Sequence, residues 1–160
     1  MRIGHGYDVH RFGSGAGRGL VIGGVTVSDE MELAGHSDAD VLTHAIIDAV
    51  LGALGAGDIG QHFPDTDEQY RAISSVALLR IVAGNMDRAG AALVNLDATV
   101  VAETPKLAPF IPEMREVLAA AFFAQPNQVN VKATTEEGLG FTGDGSGIAA
   151  HAVVLLGPKE

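Results

Sequence analysis

The first ten residues constrain the fold more than any other segment, because their side chains alternate as a β-strand requires. Successive strand side chains point to opposite faces, so Gly4, Gly6, Asp8 and His10 share one face. The two glycines leave that face open for a ligand or for another backbone. Asp8 and His10 are about 7 Å apart along the strand. The segment therefore predicts a strand that ends in two side chains able to converge on one ion.

Strand-like and helix-like hydrophobic periods interleave along the rest of the chain. No repeat, linker or low-complexity tract divides it, and its 160 residues suit one domain, 1–160, with a core of its own. The pattern predicts a single-domain α/β or α+β fold. The predicted elements are strand 1–10, a hairpin at 20–27, helices 38–54, 74–89 and 109–123, and strands 91–102, 128–135 and 147–156.

The helix predicted at 38–54 has recognisable start and stop signals. Ser37 or Asp38 is the predicted N-cap, and Gly55 and Gly57 end the helix. At about 100° per residue, the apolar side chains form one broad arc. They are Val41, Leu42, Ala45, Ile46, Ala49, Val50 and Ala53.

A polar line on this helix supplies the third candidate ligand. Asp40, His44 and Asp48 are spaced four residues apart and fall outside the apolar arc, which is also what a solvated helix face would give. If the helix packs on the first strand, His44 joins Asp8 and His10. The chain has no cysteine, so a transition-metal site must use imidazole and carboxylate, and this set suits zinc with a fourth position open. An Asp-x-His pair that is only hydrogen-bonded remains the alternative.

Composition excludes some classes of partner. The formal net charge is −10 and no basic patch is visible, which argues against nucleic acid and against an anionic membrane. With 47% hydrophobic and 19% charged residues, part of the apolar surface is expected to be buried between subunits. No membrane-spanning run or leader segment is visible, so a cytoplasmic protein is expected. A small phosphorylated substrate remains compatible, provided that metal ions, backbone N–H groups or a few lysines neutralise it.

Three further segments have features that suit phosphate. Residues 131–138 join a strand to a loop with threonine hydroxyls and a carboxylate, which could hold phosphate and Mg²⁺ or could be an ordinary strand end. His36 and Ser37 precede the helix at 38–54, where an anion site and a plain N-cap are both possible readings. Lys106 is either a phosphate contact or a solvated loop lysine.

Taken together, seven segments resemble one enzyme family, the 2-C-methyl-D-erythritol 2,4-cyclodiphosphate synthases of the non-mevalonate isoprenoid pathway. The segments fall in the family's order and span nearly the whole chain. They are RIGHGYDVH (2–10), AGHSDAD (34–40), GDIG (57–60), FPDTD (63–67), PK (105–106), NVKATT (130–135) and LGFTG (139–143).

The resemblance implies an α+β fold with a mixed sheet, helices on one side, somewhat ferredoxin-like, in a homotrimer with active sites between subunits. The substrate would be 4-diphosphocytidyl-2-C-methyl-D-erythritol 2-phosphate. Its 2-phosphate attacks the β-phosphate, releasing CMP and closing a cyclic diphosphate. Such chemistry needs charge neutralisation and alignment, and no strong side-chain nucleophile.

Residue roles follow from the resemblance by position. Asp8, His10 and His44 would bind zinc, and Glu137 would bind Mg²⁺ or Mn²⁺. His36 and Thr135 would stabilise the transition state. Asp58 and Gly60 would contact the ribose, and Ser37, Phe63, Pro64, Asp65, Thr66 and Asp67 the methylerythritol. The cytidine diphosphate would be held from the neighbouring subunit by Ala102, Glu103, Thr104, Pro105, Lys106, Leu107, Ala108 and Thr134. Ile59, Glu136 and Phe141 complete the predicted substrate contacts.

One position departs from the family. Asp144 stands where many relatives carry an arginine near the trimer axis, which puts the binding of an isoprenoid diphosphate in a central cavity in doubt. The predicted catalytic set does not include this position. Two other functions remain open from the residues: a metal-dependent phosphoesterase that hydrolyses a nucleotide diphosphate, and a zinc-binding trimer without catalytic activity.

Overall fold

A mixed β-sheet with helices against one face forms the framework of the protein. The computed structural model describes residues 1–14, 17–35, 37–64 and 66–159. Short 3₁₀ helices at Glu68–Tyr70, Ala108–Phe110 and Pro126–Gln128 lie between the main elements. The main elements in chain order are β1 (Arg2–Arg11), β2 (Leu20–Ile22), β3 (Val25–Ser28), α1 (Val41–Leu54), α2 (Ile59–His62), α3 (Ser75–Arg88), β4 (Ala91–Val101), α4 (Ile111–Ala121), β5 (Val129–Thr134), α5 (Gly140–Gly143) and β6 (Gly147–Pro158).

Four strands form the main sheet of the described residues, in the order β1-β6-β4-β5. β6 is antiparallel to both β1 and β4, whereas β4 and β5 are parallel. The carboxyl ends of β1, β4 and β5 therefore lie at the same end of the sheet. β1 and β5 are its two edges, about 14 Å apart across three strand spacings.

Gly4 and Gly6 bring β1 against the backbone of α1, so of the two predicted uses of this face, a ligand or another backbone, the structure shows the second. A Cβ on Gly4 would lie 1.8 Å from the carbonyl oxygen of Ala49, and one on Gly6 would lie 1.9 Å from that of Ala45. Any side chain at either position would push the strand and the helix apart. The glycine-bearing face of β1 is therefore the face that packs against α1.

The other face of the sheet remains open in the single chain. It exposes apolar side chains of the two adjacent strands β1 and β6, where a monomeric soluble protein normally places polar ones. They are Ile3, Tyr7, Val9 and Val153, with exposed fractions of 72%, 45%, 42% and 39%.

The start of α1 differs from the prediction. The helix begins at Val41, and its N-cap is Asp40 rather than Ser37 or Asp38. Asp40 is fully buried, and its carboxylate accepts hydrogen bonds from the Gly23 and Gly24 amides at 2.8 and 2.7 Å. It also accepts from the amide and hydroxyl of Thr43 at 3.0 and 2.7 Å. The buried carboxylate thus joins the β2–β3 hairpin to α1.

The solvated-face alternative for Asp40, His44 and Asp48 is wrong. Asp40 is buried, and the other two are half-buried, because α1 packs against the sheet on one side and against α3 on another. The helices predicted at 74–89 and 109–123 are confirmed as α3 and α4, with ends shifted by one to two residues. Within the described residues, no helix is long and apolar enough to cross a membrane.

Candidate metal centre and cleft

Asp8, His10 and His44 meet where the end of β1 lies beside α1. Asp8 Oδ2 is 3.0 Å from His10 Nε2 and 3.0 Å from His44 Nδ1. The two imidazole nitrogens are 3.2 Å apart. Among the described residues, these three form the group of histidine and carboxylate side chains with the spacing of a metal site. The sequence predicted this set, including the contribution of His44 from the facing helix.

The hydrogen bonding of His10 suits a cation. His10 Nδ1 is 2.8 Å from the carbonyl oxygen of Ala34, an atom that can only accept, so the ring proton lies on Nδ1. The neutral ring then directs the Nε2 lone pair at Asp8 and His44. Two nitrogens and a carboxylate oxygen match the ligands of zinc, and an outer carbonyl contact of this kind is usual for zinc-bound histidine.

The ionisation of Asp8 and the protonation of the neighbouring histidines influence one another. Burial disfavours the ionised form of Asp8, but the hydrogen bonds and charge that His10 and His44 supply when their rings are protonated outweigh it. The pKa of Asp8 is therefore lowered to about 2 from the ordinary 3.8. Burial likewise lowers the pKa of His10, but the hydrogen bond and charge of Asp8 outweigh it, so the net shift is upward from 6.5. Asp8 is therefore an anion across the neutral range, and it attracts positive charge to this position.

The three side chains lie in a cleft of about 580 Å³. That volume is in the range of small-ligand pockets. Its lining includes seven residues that the sequence assigned to the substrate, and they come from two separate loops and one short helix. They are Ser37, Ile59, Gly60, Phe63, Pro64, Thr66 and Asp67.

Local hydrogen bonds fix the α2 wall of the cleft. The carboxylate of Asp48 on α1 accepts the Ile59 amide at 2.7 Å, and Asp58 caps α2 through the Gln61 amide at 2.9 Å. Burial raises the pKa of Asp48 despite that bond. Asp58 is exposed and does not line the cleft itself. The polar face of α1 thus serves to position the Asp58-Ile59-Gly60 segment.

Arg18 holds the loop that carries Ser37. Its guanidinium donates to the carbonyl oxygens of Gly35 and Ser37, each at 3.2 Å, and to that of Leu33 at 3.4 Å. Arg18 has no predicted role, because no local pattern links the glycine-rich segment 13–19 to the loop before α1. His36 of the same loop and Asp65 lie outside the described residues.

The remaining predicted site residues form a second group at the ends of β4 and β5. The amide of Ala102 donates to the carbonyl oxygen of Thr134 at 3.0 Å, which brings the two loops together. Glu136 accepts a hydrogen bond from the hydroxyl of Thr142 on α5. These residues do not line the cleft of the same chain. The group comprises Ala102, Glu103, Thr104, Pro105, Lys106, Leu107, Ala108, Thr134, Thr135, Glu136, Glu137 and Phe141.

Sequence reasoning missed one part of the cleft wall. Phe63 is buried, and the Tyr70 ring packs edge-on against it with ring centroids 5.2 Å apart. Arg71 adds a cation, paired with Glu68 at 3.3 Å on the surface. The signal for this wall was the Asp67 cap, which begins the 3₁₀ turn at Glu68–Tyr70. The unpredicted lining residues are Gly35, Glu68, Tyr70, Arg71 and Leu78.

The fold and the cleft define an α+β protein with a candidate two-histidine, one-carboxylate metal centre. The family model described as the YgbB family matches residues 1–157, and the chain belongs to this family. It is 62% identical to the 2-C-methyl-D-erythritol 2,4-cyclodiphosphate synthase of Geobacter sulfurreducens over 159 residues, covering 99% of this chain and 100% of that protein. It is 60% identical to the synthase of the same name from Pelobacter propionicus over 156 residues, covering 98% of each.

Solved structures show the same fold. The bifunctional IspDF of Campylobacter jejuni superposes with a TM-score of 0.94 at 40% identity over 99% of this chain. The chain spans only 42% of that larger protein. A Plasmodium falciparum IspF in complex with CDP superposes with a TM-score of 0.86 at 32% identity, covering 99% of this chain and 97% of that one.

Proposed function

We propose that the chain converts 4-diphosphocytidyl-2-C-methyl-D-erythritol 2-phosphate to 2-C-methyl-D-erythritol 2,4-cyclodiphosphate and CMP. The observation that carries this proposal is the convergence of Asp8, His10 and His44 inside a cleft walled by the segments that resemble the synthase family. Whole-length relatives with this name support it.

The reaction is an intramolecular phosphoryl transfer. An oxygen of the 2-phosphate attacks the β-phosphorus, the bond from that phosphorus to the bridging oxygen breaks, and CMP carries the electron pair away. The nucleophile belongs to the substrate, so the protein needs to align two phosphates and to neutralise their charge. The cleft suits this task, since it combines a rigid wall at Phe63 and Tyr70 with Arg71 and exposed polar groups.

Asp8, His10 and His44 would hold zinc, and Glu137 would hold Mg²⁺ or Mn²⁺. Bound there, such cations supply Lewis-acid stabilisation of phosphate oxygens. The net charge of −10 makes local neutralisation necessary for a substrate that is itself a polyanion. Glu137 has a left-handed backbone, with φ of 52°, and its exposed side chain belongs to the second group of residues.

The chain's own residues would divide the substrate between the two groups. Ser37 and the 63–67 loop would contact the methylerythritol, and Asp58, Ile59 and Gly60 would contact the ribose. His36 and Thr135 would stabilise the transition state. The loop 102–108 with Thr134, Glu136 and Phe141 would hold the cytidine diphosphate.

A homotrimer with active sites between subunits explains why these groups are separate in one chain. They lie at the same end of the sheet but at opposite edges, about 14 Å apart. Copies assembled around an axis could place the β5 end of one beside the β1 end of the next. The exposed apolar side chains on the open face would then be buried, as expected for an obligate interface.

The proposal also extends to the extent of the domain, to the cellular location and to the binding of a diphosphate in the central cavity of the trimer. Residues 1–160 would form one synthase domain, which the continuous core of the described residues supports. The enzyme would act in the cytoplasm. The ferredoxin-like description would apply to the layers rather than to the connectivity, since the larger elements run β-α-α-β-α-β-β. Asp144 is exposed and hydrogen-bonded to the Ser146 amide at 2.8 Å, and this anion disfavours a diphosphate near the proposed axis.

Product analysis tests the proposal against hydrolysis and against a purely structural role. The zinc- and magnesium-loaded enzyme is incubated with the cytidyl substrate and the products are followed by ³¹P NMR. CMP together with a cyclic diphosphate is expected. A linear methylerythritol phosphate as the sole other product would establish the phosphoesterase instead, and no turnover at all would favour the structural trimer.

A further inference from the structure

Behind the metal centre lies a buried serine to which neither the chemistry above nor the sequence pattern gives a role. Ser75 is the first residue of α3 and is fully buried. Its hydroxyl oxygen is 2.8 Å from His44 Nε2, the ring nitrogen on the far side from Asp8 and His10. We infer that Ser75, held by Asp38, is a positioning residue that fixes the tautomer of His44 for metal binding. This inference rests on the proposed metal centre.

The direction of the Ser75 hydroxyl follows from its neighbours. Asp38 Oδ1 lies in close hydrogen-bonding contact with Ser75 Oγ, and Asp38 Oδ2 accepts the Ser75 amide at 2.9 Å. A carboxylate can only accept, so the hydroxyl proton of Ser75 points to Asp38. The oxygen lone pairs of Ser75 then face His44 and can only accept from it.

The tautomer of His44 follows in turn. A hydrogen bond between His44 Nε2 and an accepting Ser75 requires the ring proton on Nε2. In the neutral ring Nδ1 then has a free lone pair, directed at Asp8 Oδ2 and His10 Nε2. Ser37 Oγ is a second neighbour of Nε2, at 3.2 Å, and can accept from the same proton.

The arrangement matches the one at His10. There the Ala34 carbonyl oxygen holds the proton on Nδ1 and leaves Nε2 free, and here Ser75 holds it on Nε2 and leaves Nδ1 free. All three inward-facing atoms of the group therefore carry lone pairs and no proton. Three such atoms about 3 Å apart repel one another unless a cation lies between them.

Asp38→Asn is the sharpest variant, because it is nearly isosteric and should reverse the chain of hydrogen bonds. Each oxygen of Asp38 accepts one backbone amide, Oδ2 that of Ser75 at 2.9 Å and Oδ1 that of Asp40 at 3.3 Å. The shorter bond keeps the amide oxygen of Asn at the Ser75 amide, so the NH₂ group faces Ser75 Oγ and donates to it. The Ser75 hydroxyl then donates to His44 Nε2, and the proton of the ring moves to Nδ1. Zinc binding must then displace that proton.

Zinc affinity of the full chain is measured by competition with a chromophoric chelator, after stripping and reloading with zinc alone. Loss of an outer-shell partner typically weakens metal binding roughly 10- to 100-fold. We expect this loss for Asp38→Asn and Ser75→Ala, with affinity retained in Ser75→Thr, which keeps the hydroxyl. Ser74→Ala is the matched control, since Ser74 is exposed and its side chain makes no capping hydrogen bond.

The ring itself provides the second readout. In ¹⁵N NMR of the zinc-free full chain, at a pH where the ring is neutral, His44 should be protonated on Nε2 in the parent and on Nδ1 in Asp38→Asn. If the parent binds no zinc, the proposed metal centre itself is refuted. A parent that binds zinc, with unchanged affinity and tautomer in Asp38→Asn, would overturn the positioning role alone. If Ser75→Ala does not fold, Asp38→Asn decides the question by these same criteria.

Discussion

Gly6 of β1 lies so close to Ala45 of α1 that a Cβ on the glycine would be 1.9 Å from the Ala45 carbonyl oxygen. This contact sets the distance between the strand that carries Asp8 and His10 and the helix that carries His44. The metal centre therefore depends on a glycine two residues before its first ligand.

Gly6→Ala should separate β1 from α1. The added methyl group meets backbone, which cannot rotate away, so we expect a loss of about 3 kcal/mol in the free energy of unfolding together with weaker zinc binding. Gly52→Ala is the matched control, because its Cβ would be 3.8 Å from the His5 carbonyl oxygen. In the last turn of α1, where Gly52 is exposed, that change should stabilise by about 0.5 kcal/mol. Urea unfolding at fixed protein concentration measures the stability of both variants. A Gly6→Ala variant as stable as the parent would contradict the close packing.

His44→Ala should leave the protein folded but remove most zinc and most activity. His44 is half-buried, so its loss is tolerable for α1, whereas two remaining ligands hold zinc poorly. Metal analysis, circular dichroism and turnover are measured together. The zinc-stripped parent serves as the reference, since added zinc should restore it and should not restore the variant. Near-normal turnover by a zinc-free variant would refute the role of the metal.

Glu137→Ala should lower the rate and abolish the dependence on Mg²⁺, because the proposed second cation loses its protein ligand. Titration of activity with Mg²⁺ at saturating zinc measures the effect. Glu113→Ala provides a control, since Glu113 is an exposed glutamate on α4 and belongs to neither group of site residues. The assignment of Glu137 would be refuted by a Mg²⁺ titration that matches the parent.

Without metal, the stability that Asp8 contributes should depend on pH in both directions. The Asp8 pKa is lowered to about 2 from 3.8, so its contribution is present above about pH 4 and lost as pH falls towards 2, amounting to roughly 2 kcal/mol. The His10 pKa is raised from 6.5, so its contribution is present below that pH and lost as pH rises. With metal removed by a chelator, the free energy of unfolding of the parent should exceed that of Asp8→Asn by the largest amount between about pH 4 and 6.5. A difference that is constant with pH would show that the three groups are not coupled.

Asp40→Asn should destabilise the protein although it removes a buried charge. Burial raises the pKa of Asp40, but its carboxylate accepts from Gly23, Gly24 and Thr43, and an amide NH₂ cannot accept from the glycine it faces. One buried N–H group is then unpaired, which costs about 1–3 kcal/mol. Thermal unfolding measures the loss. Equal or greater stability of the variant would show that relief of the buried charge outweighs these bonds.

Much of the fold could be predicted because its signals are local. The glycine-bearing strand, the hairpin at Gly23 and Gly24, and α3 depend on alternation, turn residues and helical periodicity within a few positions. The short helices α2 and α5 were not predicted, since each has only four residues and too little periodicity to detect. The cap of α1 was placed at Ser37 or Asp38 because the buried partners of Asp40 come from a hairpin far away in sequence.

The candidate site likewise contains residues that could be predicted from the sequence and residues that only long-range contacts reveal. The sequence predicted Asp8, His10 and His44 as candidate metal ligands and named most of the 59–67 wall. Asp8, His10 and the wall lie in segments that resemble one family, and His44 lies on the polar line of α1. It could not identify Arg18 or Ser75, whose partners are loop carbonyls and a histidine on other elements. Long-range hydrogen bonds of this kind leave no spacing pattern along the chain.

The sequence by itself determined which chemistry is available: imidazole and carboxylate ligands without cysteine, and a strand face bare enough to accept a helix. Only the tertiary structure decided that three ligands from two elements meet at about 3 Å, and which nitrogen of each ring faces inward. The physical reason is that residue types and local periods are properties of the chain. The distance between β1 and α1 and the direction of each hydrogen bond arise only when distant segments pack against one another.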